Sequence, residues 1–453
     1  EIPVRDIEKE EKPEEKLEMP RSGEALFLEE LGKAAEGEMN PLFEELYRWY
    51  AAHPEAGIPA ETYRKAAFLR CADGVIGRSA ASALYGDTLK NSATRLEKYA
   101  ACAFAHFMEF GLQIRERDQY ELKAADMGTV MHEALEKFSK KLQENGETWE
   151  TVGDDTRDRL IEECVEETMA DYGNTIFQSS SRNQYRIIRV KRILKRTVWA
   201  LQQQIRQGEF EPGEFEVSFS MEDSLSAINI DLSEHEKMRL RGRIDRVDLC
   251  ETDDKVYVKI IDYKTGNTSL DLVALYYGLQ LQLAVYLDAA VELEQKKHPG
   301  KLVEPAGVFY YHIDDPILDQ EEDETDEAWG RRMLKALRMD GLVNADRKVV
   351  ELLDRVLADG TTSDVIPVGK KKDGSYTGYS KVASSEQFNV IRTYTRKKVR
   401  EIGEGIFSGN VKISPFQRDG ATACAYCEYQ GICGFDQKIQ GYEYRKLKGM
   451  DTE

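Results

Sequence analysis

No stretch of this 453-residue chain approaches the ~18 consecutive apolar residues that a membrane span requires, and its start lacks the basic-then-apolar order of a signal peptide. A chain with neither is expected inside the cell. No phosphate-cradling GxxxxGK(S/T) occurs, which excludes an ATP site of that kind, and no internal repeat is visible. Cysteine is scarce and odd in number, seven in all. In an intracellular chain that favours metal ligands or buried thiols over a disulfide framework. Base is short too: 63 Lys and Arg face 83 Asp and Glu, for a net charge of −20. Spread evenly, that deficit would argue against a nucleic-acid partner, but it is not spread evenly. Residues 1–19 carry eight acids and four bases, 142–172 eleven and two, and 314–327 nine and none, which leaves the rest of the chain at +2.

With 41% apolar residues the chain can bury a sizeable core, and its length favours roughly two to three folding units. It opens on Glu1 rather than Met, followed by a solvated Glu- and Lys-rich run at 8–16, as expected of a piece of a longer polypeptide. A division is expected near 83/84, with an acidic tail and helical remnant before it and the main domain, 84–453, after it. The remnant reads as short helices at 24–33, 41–52 and 60–72, the second with spaced Leu42, Phe43, Leu46, Tyr47 and Tyr50. Beyond it, caps at 91–94 open a helix through Leu96, Tyr99, Phe104 and Phe107, and a long helix spans about 127–144. An acidic helix (154–172) and a basic one (182–206) follow. The period then becomes alternating, predicting strands at 215–219, 227–232, 238–249 and 256–263, a helix over 270–295 and a strand at 306–313. Helices near 329–338 and 346–358 and a last one at 384–407 complete the body. This order predicts an α+β sandwich around a mixed central sheet flanked by helices.

Gly242-Arg243-Ile244-Asp245-Arg246-Val247-Asp248 lies in one predicted strand, and Ile260-Ile261-Asp262-Tyr263-Lys264 ends the next. Paired as a hairpin, they bring Asp245 to the pair Asp262/Lys264 at one edge, because residues two apart share a face. Two carboxylates with an ammonium suit metal-dependent phosphodiester hydrolysis: the acids hold Mg2+ and the ammonium steers the water. The plainer alternative is a cross-strand ion pair, worth little on a half-exposed strand. Against it, a charged pair ending a run as apolar as 256–261 needs a reason.

These residues, with two further elements in the same order, resemble the PD-(D/E)XK nucleases, in their RecB-like branch. Gly128 to His132 is similar to that family's GxxxH element, Asp245 to its first acidic position, Asp262-Tyr263-Lys264 to the second, and Gln282 to Tyr286 to its QxxxY element. The resemblance implies a restriction-endonuclease-like core. It implies Mg2+ held by His132, Asp245, Asp262 and the Tyr263 carbonyl, with Lys264 on the water and Gln282 and Tyr286 orienting the strand. Gln282 and Tyr286, four apart on one helical face, also read as a simple packed pair. Basic helix residues Arg189, Arg192, Arg196, Arg396, Lys397 and Arg400 are candidate contacts to DNA phosphates, and equally a solvated face or a partner contact.

Cys424-x2-Cys427-x5-Cys433 places three thiols in a short tail, and Cys102 is the obvious fourth. This pattern resembles the 4Fe–4S staple of AddB-type nucleases, with a four-thiolate zinc site as the open alternative. Cys71, Cys164 and Cys250 read as buried thiols. Residues 84–436 resemble the AddB-type family most closely, from Leu84-Tyr85-Gly86-Asp87 and Ser92 to Tyr99 onward, with Ala103 where many members carry Pro. That implies an AddA-type partner, residues 20–83 as the end of a preceding helicase-like region, and a 5′→3′ DNA exonuclease of the bacterial cytoplasm acting in double-strand break repair. A non-catalytic DNA-binding scaffold and a stand-alone exonuclease like those of CRISPR adaptation are the rival readings. The intact set of His132, Asp245, Asp262 and Lys264 disfavours the first, and the N-terminal helices the second.

Overall fold

A computed structural model describes residues 20–35, 37, 41–68, 74–117, 122–171, 177, 180–219, 225, 228–233, 235–319 and 324–449. The acidic tail 1–19, Cys71 and part of the acidic loop (320–323) lie outside the described residues. The chain divides into two compact units: one joins the residues up to Gly74 with Lys412–Lys446, the other runs Val75–Val411 and resumes at Leu447. The expected division near 83/84 differs from this one, which falls after Gly74 and assigns most of the cysteine tail to the first unit.

In the first unit, α1 (Pro20–Ala35), α2 (Pro41–Ala52) and α3 (Ala60–Ala67) close around Phe27, Leu31, Phe43, Leu46 and Tyr50. The α2 side chains spaced three and four apart go inward as a helical stripe requires, and the Tyr47 hydroxyl donates instead to Glu61.

The second unit begins with α4 (Arg78–Tyr85), β1 (Thr88–Asn91), α5 (Ala93–Ala101), α6 (Ala103–His106), α7 (Ala124–Glu144), α8 (Asp154–Asp171) and α9 (Ser181–Gln207). There follow β2 (Glu211–Phe219), β3 (Asn229–Asp231), β4 (Lys237–Leu240), β5 (Gly242–Glu251), β6 (Lys255–Lys264), α10 (Leu272–Tyr276), α11 (Gln282–Lys297) and β7 (Leu302–His312). It ends with α12 (Asp326–Ala336), β8 (Asp340–Asn344), α13 (Arg347–Leu353), β9 (Val382–Ala383) and α14 (Ser385–Phe407). The tail, in the first unit, adds β10 (Phe416–Arg418), β11 (Ala421–Thr422), α15 (Gln430–Cys433) and β12 (Arg445–Lys446).

The main sheet is mixed, in the order β2-β5-β6-β7-β8-β9, with β6 parallel to β7 and β5 antiparallel to both β2 and β6. One face packs on α7, α8, α9, α12 and α13 through Leu135, Phe138, Val165, Leu194, Ile261 and Tyr311. The other packs on α5, α11 and α14 through Leu96, Val285, Leu287, Val258, Ile260 and Ile402. Helix-on-sheet-on-helix is the α+β arrangement expected. Burial on both faces explains why β6 is apolar almost throughout.

Three expectations are corrected. The predicted strand 238–249 breaks at Arg241, and β4 joins a separate small sheet with β1 and β3 while β5 enters the main one. The predicted strand at 227–232 is described as β3, three residues long, in that small sheet. The predicted helix 270–295 is two helices, because Gly278 sits at φ 80°, where no helix continues and where glycine carries no Cβ penalty. The acidic and basic helices prove to be neighbours: Lys191 pairs with Glu166 and Lys195 with Glu162 across α8 and α9.

Candidate active site

The β5–β6 register pairs Arg246 with Ile261, which puts Asp245 one rung further on, opposite Asp262. On the other side of β5, Phe215 pairs with Arg246 and Val217 with Ile244, so Glu216 of β2 stands beside Asp245. The α7 helix contributes His132, whose Nδ1 lies 3.3 Å from Asp245 Oδ2. That same oxygen accepts the Tyr263 N–H at 2.7 Å. One turn of helix and the ends of three strands thus converge.

The other half of the site is a closed hydrogen-bonded set. Lys264 Nζ is 2.6 Å from Asp262 Oδ2 and donates to Gln282 Oε1 at 3.0 Å. The amide of Gln282 donates to Asp262 Oδ1 at 2.8 Å and faces the Tyr286 hydroxyl at 3.3 Å. The fourfold spacing of Gln282 and Tyr286 therefore serves one cluster, with the Tyr286 ring edge-on to Phe219. Gly242 makes this closeness possible, since a Cβ there would fall 2.4 Å from the Phe219 ring and 2.9 Å from that of Tyr286. Its place at the start of the Gly-Arg-Ile-Asp string is explained by crowding.

Three carboxylates crowd together here, with Arg243 paired to Glu216 and Lys264 to Asp262. Burial, then the neighbouring Asp245, pushes the Glu216 carboxyl up to about 7, and the same two causes raise Asp262 to about 6 against the pull of Lys264. Burial opposes the proton on His132, yet Asp245 more than offsets it and the ring holds its proton to higher pH than a free histidine. Carboxylates crowded this way resist full ionisation unless a cation joins them. Donor atoms of His132, Glu216 and Asp245 all lie within 4.8 Å of one another. Hard oxygens with one imidazole suit Mg2+ or Mn2+.

Of the expected metal ligands, His132 and Asp245 are in this group, while Asp262, across the ladder from Asp245, is held by Lys264 and Gln282. Tyr263, whose carbonyl was expected to complete the set, buries its ring edge-on against His132. Glu216 was missed. Its trace in the sequence is faint: the alternation of Phe215, Val217 and Phe219 suggests one inward face, but the backbone at Glu216 turns left-handed (φ 52°), so Phe215 packs on one core and Val217 and Phe219 on the other, which no period-2 pattern announces.

The six basic candidates separate. Arg192 pairs with Asp315 at 2.5 Å, and Arg196 lies over the Trp329 ring at 5.1 Å. Arg396 and Arg392 both bind buried Asp288, and Arg400 donates to the Asp231 carbonyl at 2.7 Å. Among the described residues Arg189 and Lys397 are exposed and show no ion pair. No described cysteine is in a disulfide. Cys164 and Cys250 are buried, as expected, and burial pushes the Cys164 thiol up to about 11. In the tail, Cys433 Sγ accepts the Phe435 N–H at 3.5 Å, and Cys102 is buried in the second unit.

A family model described as the PD-(D/E)XK nuclease superfamily matches residues 90–434. The chain is 43% identical over 426 residues to an ATP-dependent helicase/deoxyribonuclease subunit of Lachnoclostridium phytofermentans, covering 92% of this chain and 36% of that one. It is 37% identical over 416 residues to the protein of the same name from Alkaliphilus metalliredigens, with 92% and 36% covered. For the one from Clostridium tetani the identity is 34% over 446 residues, with 96% and 38% covered. The chain spans just over a third of the length of the curated relatives it matches.

Proposed function

The chain belongs to the PD-(D/E)XK nuclease superfamily, and from that premise we propose that it is a Mg2+-dependent deoxyribonuclease module. In this reading it serves a helicase–nuclease subunit of the bacterial cytoplasm, paired with an AddA-type partner. It degrades the 5′-ended strand as an exonuclease during double-strand break processing and recombinational repair. One observation carries the chemistry: His132, Glu216 and Asp245 meet within 4.8 Å, beside the closed set Asp262–Lys264–Gln282.

When bound, a divalent ion would be held by His132, Glu216 and Asp245 and would supply Lewis-acid charge and a more acidic water. Lys264, fixed between Asp262 and Gln282, directs its ammonium at the attacking water or at a phosphate oxygen. Asp262, with its carboxyl raised to about 6, is tuned to take the proton that water loses. Gln282 fixes Lys264 through its side-chain amide, and together with Tyr286, which its amide also reaches, it would orient the DNA strand.

Asp262→Ala and Asp245→Asn should abolish Mg2+-dependent digestion of labelled single strands while leaving DNA affinity intact. Glu216→Gln should weaken Mn2+ binding by about tenfold or more in calorimetry. A wild-type protein that never cuts, even with its partner supplied, ends the enzyme reading. We also propose four-thiolate ligation of a 4Fe–4S cluster by Cys102, Cys424, Cys427 and Cys433, as the spacing suggests. The purified protein should then be brown and hold iron and sulfide in equal amounts. A colourless zinc protein would overturn the cluster and leave the nuclease reading standing.

A further inference from the structure

The α11 helix carries Gln282, the residue that ties Lys264 to Asp262, yet its own N-terminus has no capping side chain from the preceding residue, Leu281. The first turn of a helix leaves backbone N–H groups without partners. Here they are met from 184 and 185 residues away: Glu97 Oε1 accepts the Leu281 N–H at 2.6 Å and the Gln282 N–H at 3.0 Å. A carboxylate at that position also complements the positive end of the helix dipole. Glu97 cannot drift, because α5 is capped by Ser92, packs Leu96 into the core and abuts the α10–α11 turn, where a Cβ on Gly278 would sit 3.2 Å from Ala100.

We propose that Glu97 is a positioning residue for the nuclease site: by holding the N–H groups of Leu281 and Gln282 at the start of α11 it sets where the Gln282 amide stands, and through Gln282 where the Lys264 ammonium stands. This rests on the nuclease reading for its catalytic consequence, though the cap itself does not. Glu97 makes no hydrogen bond to Lys264 or to the site carboxylates, but its charge does reach Lys264, so comparing Glu97→Gln with Glu97→Ala separates placement through Gln282 from that direct attraction. The chain of contacts is short: Glu97 to the Gln282 N–H, the Gln282 amide to Lys264 and Asp262. Displacing a reacting group by about an ångström costs up to a hundredfold in rate, so a small shift of this turn suffices.

The test compares Glu97→Ala, Glu97→Gln and Gln282→Ala, singly and with Glu97→Ala and Gln282→Ala combined, in the whole chain. Glu97→Ala should lower kcat on single-stranded DNA roughly tenfold to a hundredfold with KM little changed. Glu97→Gln, which keeps an acceptor oxygen, should restore most of the rate. In the Gln282→Ala background Glu97→Ala should add little. Hydrogen exchange of the metal-free protein supplies a readout independent of activity: the Leu281 and Gln282 amides should lose protection in Glu97→Ala and keep it in Glu97→Gln. Independent, multiplicative losses in the double variant, or unchanged amide protection in Glu97→Ala, would overturn the proposal. Equal losses for Gln and Ala at 97 would overturn it as well, because charge rather than placement would then be at work. If wild type fails to cut, the nuclease reading falls while the exchange comparison still decides whether Glu97 holds the turn.

Discussion

His106 is buried at 1% exposure against the Tyr85, Tyr99 and Phe110 rings, and its Nε2 accepts from Arg95 Nε at 3.3 Å. Burial first, and then the charge of Arg95, hold its pKa down to about 3. An unfolded histidine titrates at about 6.5. The folded state therefore refuses a proton that the unfolded state takes. The stability from keeping His106 neutral is complete above about pH 6.5 and is lost as pH falls toward 3. Between pH 7 and 5 this one residue should cost about 2 kcal/mol. His106→Gln keeps an acceptor for Arg95 and cannot titrate, so its denaturation midpoint should fall less than wild type over that window; parallel curves would refute the assignment. At the same scale, legibility in the sequence differed sharply among site residues. His132, Asp245, Asp262, Lys264, Gln282 and Tyr286 stand in ordered, recognisable strings. Glu216 and Glu97 do not, since one is an acid in an alternating strand and the other an acid in a helix, and only the register of β2 on β5 and the approach of α5 to α11 give them partners.

Elements were read best where one period dominates. The alternating stretches and the hairpin of β5 and β6 follow from side-chain direction alone, as does α14, opened by its Ser384 and Gln387 capping box. Period 2 says nothing of which sheet a strand joins, so the break at Arg241 was invisible, and β8, only five residues long, offers too little pattern to detect. The basic face of α14 illustrates a different blindness. Arg392 and Arg396 look like a cationic track in sequence, but Asp288 of α11, buried at 2% exposure, binds both, with distances of 2.8 and 2.9 Å to one of its oxygens. Their charge holds two helices together. Asp288→Ala leaves Arg392 to Asn389 at 3.3 Å and Arg396 to the more distant Glu292 at 3.8 Å, and should cost about 2 kcal/mol, read as a lower melting temperature. Arg396→Ala, partly exposed, should cost about 1 kcal/mol and leave DNA affinity unchanged. Lys397→Ala should do the reverse, and a drop in DNA binding for Arg396→Ala without a loss of stability would return that residue to the DNA face.

At the scale of the molecule, the net charge of −20 acquires a physical meaning once its pairs are known. The acidic helix α8 neutralises one side of the basic helix α9, Asp315 in the acidic loop holds Arg192, and Asp288 holds the arginines of α14. Most of the concentrated base is spent inside the fold, and the remaining long-range field repels a polyanion. Association with a single strand then has to depend on a few close contacts near the site rather than on a broad cationic groove. Each phosphate neutralised on single-stranded DNA contributes about −0.7 to the slope of log affinity against log salt. Among the described residues Arg189 and Lys397 show no ion pair and Arg400 donates only to a backbone carbonyl, so three of the six candidates keep their charge. The slope for the Asp262→Ala variant, measured by anisotropy in EDTA across roughly 50 to 300 mM salt, should therefore be shallow, about −2. Arg189→Ala and Lys397→Ala should each remove about 0.7 of it. A slope of about −4 or steeper would mean that α9 and α14 present intact basic tracks to DNA. The ion pairs seen here would then have to open on binding, and the charge of the whole chain would once more say little about its partner.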